Sequence, residues 1–82
     1  MAFQLDPELI GSNIRYYREK QSLTIRRLAD LSLLRYQQIA DMENGVGMPS
    51  VRLLAVVAEV LGVQAYQLTL PRPPEAEYQE GC

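Results

Sequence analysis

This sequence of 82 residues contains no histidine, and its one cysteine, Cys82, is the last residue. Without an imidazole there is no obvious base to activate a nucleophile, and the carboxylates do not gather at metal-ligand spacings. No catalytic residues, no metal and no cofactor are expected. The polar groups that stand out are hydrogen-bonding ones. Arg35-Tyr36-Gln37-Gln38 run together, Asp41 follows one helical turn after Gln37, and Arg26-Arg27 lie a short way before them. An amide donates and accepts at once, and a guanidinium offers a rigid fork of donors. Such groups recognise; they do not transform.

The elements that carry them are helices. Asp6-Pro7 reads as a helix start, with Asp at the N-cap and Pro at the first position. Leu9, Ile10, Ile14 and Tyr17 then recur at helical spacing, which predicts a helix to about residue 21. Thr24 caps a short second helix with Leu28 and Ala29 inward, ending near residue 31. A third covers about 36 to 44, with Ile39 and Met42 inward and Gly45 as a left-handed stop. Positions 37, 38 and 41 fall on its outer side. Ser50 caps a fourth helix whose core stripe is Val51, Leu54, Val57, Ala58 and Leu61, and Gly62 ends it. A last short helix is expected over about 65 to 70.

Length allows one domain, taken as residues 1–70, with residues 71–82 as an acidic, proline-containing tail that is extended or disordered. An apolar content of 48% suffices for a core. No apolar run reaches the roughly 18 residues of a membrane span, and the start lacks a signal-peptide pattern. A lone cysteine excludes an intrachain disulfide framework. A soluble, cytoplasmic protein is expected, without membrane contact. The net charge of −2 argues against a polyanionic partner. The tail accounts for it, with Glu75, Glu77 and Glu80 against Arg72; residues 1–70 carry seven acids and seven bases.

A string of features in order runs through residues 10–70: Ile14-Arg15 and Arg18, Ser22-Leu23-Thr24, Leu28-Ala29, Ile39, Met42-Glu43-Asn44-Gly45, Pro49-Ser50 and Leu61-Gly62-Val63. This stretch resembles the Cro and phage-repressor (XRE-type) family of helix-turn-helix domains. The resemblance implies an all-α fold, a compact five-helix lambda-repressor-like domain with a short extended C-terminal tail. Its third helix would lie in the major groove of double-stranded DNA and its second would cross the backbone. It also implies that Arg18 pairs with Glu43 as a structural tie.

In such a domain Arg35, Tyr36, Gln37, Gln38 and Asp41 would face base edges. A Gln amide matches adenine N6 and N7, Arg35 can reach guanine, and Tyr36 offers a ring to a thymine methyl. Asp41 could accept from cytosine N4, but bracing a neighbouring arginine is the favoured role. Arg15, Arg26, Arg27 and Asn44 would meet phosphates, helped at Arg26 and Arg27 by the dipole of the second helix. The plainer readings are a solvated Gln37-Gln38 face and, for Arg27, an ordinary surface charge.

The family pattern is broken in four places: Ile25 stands where Gln is common, Leu33 where the turn has Gly, Arg35 where Ser or Thr caps, and Val46-Gly47-Met48 in an often basic loop. Beside the core stripe, Leu53, Val56 and Val60 make the fourth helix apolar almost all round. With Leu68 and Leu70 they are read as a homodimer interface; the alternative is packing against a folded-back tail through Tyr78. The function implied is a sequence-specific DNA-binding transcriptional regulator, a repressor binding a pseudo-palindromic operator as a homodimer. The alternative is a helix-turn-helix protein-interaction module, such as an antitoxin or adaptor, whose tail covers a second protein.

Overall fold

The computed structural model describes residues 5–72 and contains four α-helices and one 3-10 turn: α1 (Pro7–Lys20), α2 (Ile25–Ser32), α3 (Tyr36–Glu43), α4 (Val51–Leu61) and the turn Ala65–Leu68. The acidic segment 73–82, with Tyr78 and Cys82, lies outside the described residues. Three caps form as their side chains allow. The Asp6 carboxylate accepts from the Glu8 N–H at 2.9 Å, the Thr24 hydroxyl from Arg27 at 3.0 Å, and the Ser50 hydroxyl from Leu53 at 3.1 Å. Gly45 and Gly62 adopt φ +74° and +76° and stop α3 and α4.

The fifth element corrects the sequence reading. A helix over 65–70 was expected; a single 3-10 turn ends at Leu68. Two forces stop it. Pro71 disfavours the helical conformation in Leu70 before it. The fully buried Asn13 of α1 then donates its side-chain N–H groups to the Leu68 and Leu70 carbonyls at 2.9 Å each, with Gln67 O at 3.4 Å. Those carbonyls are satisfied across the fold, not along a helix.

Ile10 and Ile14 of α1, Leu28 of α2, Ile39 of α3, Val57 of α4 and Leu68 of the turn are fully enclosed and form the centre of one core. Leu68 is therefore a core residue and cannot belong to a subunit interface, as the sequence reading had it. The turn that carries it wedges between α1 and α4. Leu53 and Val60 are half-buried against the same core, Val56 is half-buried beside them, and Leu70 is exposed. Val51, assigned to the core stripe, stands 79% exposed at the first turn of α4.

Leu33 closes α2 in the left-handed region at φ +59°, with its side chain 91% exposed. Its N–H still reaches Asp30 O at 3.2 Å, and the Leu34 N–H reaches Ala29 O at 2.9 Å, so the turn survives without glycine. The cost is backbone strain of about 1–2 kcal/mol. Leu33→Gly should raise stability by about 1 kcal/mol, because the strain relieved exceeds the extra unfolded-state entropy and no packing is lost. A thermal melt checks this: an unchanged or lower midpoint would show that the leucine is not strained.

Candidate nucleic-acid interface

The helix pair α2 and α3 is held from behind. Leu28 and Ala29 on α2 meet Ile39 and Met42 on α3, all 5% exposed or less. The opposite side of α3 carries Arg35, Tyr36, Gln37, Gln38 and Asp41 at or near the surface. Arg26 of α2 lies over the Tyr36 ring, 5.7 Å from its centre, a cation–π contact that links the two helices at their outer edge. Arg27 is exposed on the first turn of α2.

The two glutamines are held in opposite senses. Gln37 Nε2 donates to Asp41 Oδ1 at 2.9 Å. Gln38 instead turns back, its Oε1 accepting from the Arg35 N–H at 2.9 Å. This is half of a capping box; the guanidinium of Arg35 has no acceptor with which to complete it. Asp41 thus braces Gln37, not an arginine. That corrects the role favoured for it from sequence, and the reason is geometric: positions 37 and 41 are one turn apart on the same face.

At the far end of α3 lies an ionic cluster. Arg18 Nε and Nη2 grip the Glu43 carboxylate at 2.5 and 3.0 Å, and Arg18 Nη1 donates to Leu23 O at 2.8 Å. The Glu43 side chain is 1% exposed. The hydrogen bond to Glu43 raises the Arg18 pKa further above its ordinary value, outweighing the opposing effect of burial. Arg15 Nε adds a third contact to Glu43 at 3.3 Å, and its Nη2 reaches Asn44 Oδ1 at 3.5 Å. Arg15 and Asn44, both assigned to phosphates from sequence, are thus paired with each other. The Arg15 side chain remains half exposed, so it can still turn to an anion.

Sequence reasoning missed a second cluster. Arg72 donates to Asn13 Oδ1 at 2.8 Å and to Ser12 Oγ at 3.2 Å, and its guanidinium lies 4.5 Å from the centre of the Tyr16 ring. Pro71-Arg72, read as the start of an extended tail, is latched to α1. The signal was present: Asn13 falls on the stripe of Ile10, Ile14 and Tyr17, where a polar residue must find buried partners. Among the described residues no three His, Cys, Asp or Glu side chains gather as a metal site, and no helix is long and apolar enough to cross a membrane.

Residues 14–68 match a family model described as helix-turn-helix. The chain belongs to this family. Within it the type is that of Cro and the phage repressors. Solved structures of similar shape include the clp gene regulator ClgR from Corynebacterium glutamicum, 28% identical with TM-score 0.74, covering 83% of this chain and 87% of that one. The restriction-modification controller protein C.AhdI from Aeromonas hydrophila is 25% identical with TM-score 0.73, covering 77% and 96%. SinR, a master regulator for biofilm formation solved in complex with DNA, is 27% identical with TM-score 0.69, covering 72% and 95%. No curated protein matches significantly. In helix-turn-helix domains generally, the second helix of the motif reads the major groove and the first crosses the backbone.

Proposed function

We propose that this chain is a transcriptional regulator that binds double-stranded DNA in a sequence-specific way, as a homodimer on a pseudo-palindromic operator, and represses by occluding a promoter in the cytoplasm. One observation carries the reading: α3 turns Tyr36, Gln37 and Asp41 outward while Ile39 and Met42 anchor it from behind. Arg26, Arg27 and Arg35 frame that face and supply the phosphate and guanine contacts, with Arg15 and Asn44 at its far end. The regulators of similar shape, one of them solved on DNA, support it. Gln37→Ala should weaken binding to the selected operator by about 1–3 kcal/mol and leave random duplex nearly unaffected. Equal losses on both would mean that α3 does not read bases.

The subunit contact is assigned to the flank of α4, where Leu53, Val56 and Val60 sit half-buried, with the exposed Leu70 nearby in sequence to the turn. Val56→Glu should shift the protein toward monomer in sedimentation and weaken operator binding with it. An unchanged dimer would move the contact elsewhere. The domain boundary is best drawn after Arg72, whose side chain is tied to α1, leaving residues 73–82 as the tail.

A second reading is a protein-interaction module, in which the acidic tail covers a partner. Leu33, Val46 and Met48 favour it: these apolar side chains, 91%, 63% and 46% exposed, flank α3 where cations would serve DNA better. Such a protein would show no steep loss of duplex affinity with salt.

A further inference from the structure

The bond between Gln37 and Asp41 changes what the reading face can recognise. A carboxylate only accepts, so the Gln37 amide nitrogen must be the atom facing Asp41 Oδ1 at 2.9 Å. Among the described residues nothing donates to Gln37 Oε1 or to Asp41 Oδ2. Gln37 is exposed and Asp41 half-buried, and they lie one turn apart on the outer face of α3. Together they offer two acceptors, with one amide proton already committed.

A free glutamine pairs with adenine by accepting from N6 and donating to N7. A carboxylate fixed beside it opposes that choice, because adenine N7 and both guanine acceptors would meet negative charge, and thymine offers only O4 and a methyl group. Cytosine alone presents on its own major-groove edge a donor, N4, and no acceptor, the side away from guanine O6 being only C5–H. We propose that Gln37 and Asp41 act as one unit that reads the N4 amino group of a cytosine, Asp41 being the residue that turns the preference away from adenine. The inference rests on the DNA-binding function proposed above and adds to it the base that this position selects. Gln38 is less well placed for the adenine contact, because its oxygen is turned back to the Arg35 N–H.

The test is selection from a random duplex library by the full chain, by Asp41→Ala and by Gln37→Ala, with melting curves to show that all three fold. The wild-type motif should contain a G·C pair in each half-site at which cytosine is favoured over adenine by about tenfold, the effect of 1.4 kcal/mol at one base pair. Asp41→Ala should shift that position, and only that one, toward adenine, since no negative charge then opposes N7 and the amide is free to turn to N6 and N7. Gln37→Ala should lose the preference at the same position. The proposal is overturned if Asp41→Ala selects the wild-type base everywhere, or if the position it alters does not favour cytosine in the wild type. A wild-type chain that enriches no motif would sink the DNA-binding function itself, and this refinement with it.

Discussion

Glu43→Ala should destabilise the domain by about 3–5 kcal/mol, the cost of leaving one member of a buried ion pair without its partner. Glu43 takes two bonds from Arg18 and one from Arg15, and its side chain is almost wholly enclosed. Without it, Arg18 keeps only the Leu23 carbonyl as a strong acceptor. A domain of this size has a total stability on the order of 4–12 kcal/mol, so the variant should populate unfolded chain measurably at physiological temperature. Chemical denaturation followed by circular dichroism reads the loss. Arg18→Met combined with Glu43→Leu should be milder than Glu43→Ala alone, because no charge is then left unpaired. A loss below about 1 kcal/mol in Glu43→Ala would mean that water already screens the pair.

The sign of the pH effect from the arginine side is fixed. The raised Arg18 pKa stabilises the fold wherever arginine is charged in both states, and that contribution is lost only in strong alkali. Neutral and mildly acidic pH therefore leave the cation of this pair in place. Its position matters for more than stability. By tying α1 to the end of α3, the pair sets the angle at which the outer face of α3 is presented.

Gly11→Ala should cost about 2–4 kcal/mol, although alanine is the better helix former by about 1 kcal/mol. The sign is decided by what the new methyl would meet. A Cβ at position 11 would lie near the Met42 carbonyl oxygen and 2.6 Å from that of Glu43, both backbone atoms of α3. Neither can swing aside as a side-chain tip would, so α1 and α3 must separate. Separation would also stretch the Arg18–Glu43 bonds, making the loss larger than a simple overpacking estimate. Thermal melts of Gly11→Ala and Gly11→Ser measure it. Near-wild-type stability in both would show that the two helices do not approach so closely in solution.

The two positions differ in how far the sequence disclosed them. The Arg18–Glu43 tie followed from the family resemblance, because both residues stand at matching places in the motif. Gly11 gave no such sign: a glycine inside a helical pattern looks like a weak former, and only the crossing of α1 over α3 explains it. The helix boundaries were legible because their punctuation is local chemistry, in Asp6-Pro7, Thr24, Gly45, Ser50 and Gly62. The end of the domain was not. Asn13 and Arg72 are 59 residues apart; the Asn13 amide takes the carbonyls at which the fifth element ends, and its bond from Arg72 latches the chain to α1. Leu68 was misread for a related reason. It was grouped as an apolar residue with the stripe of α4, whereas the 3-10 turn it occupies points it inward. On the outer face of α3, residue types alone could name Gln37, Gln38 and Asp41, but not which atom each commits to a neighbour.

The most direct test is the affinity of the full chain for duplex DNA, selected from a random library or taken from upstream of its own gene, against random sequence as salt rises. The expected result is tight, preferential binding at about 50 mM salt, by on the order of a thousandfold over random duplex. That affinity should fall steeply toward about 200 mM, because the counterions displaced from the phosphates gain less entropy on release into more concentrated salt. Weak binding at low salt that is equal on every duplex would contradict a reading face on α3, while leaving the helical domain intact.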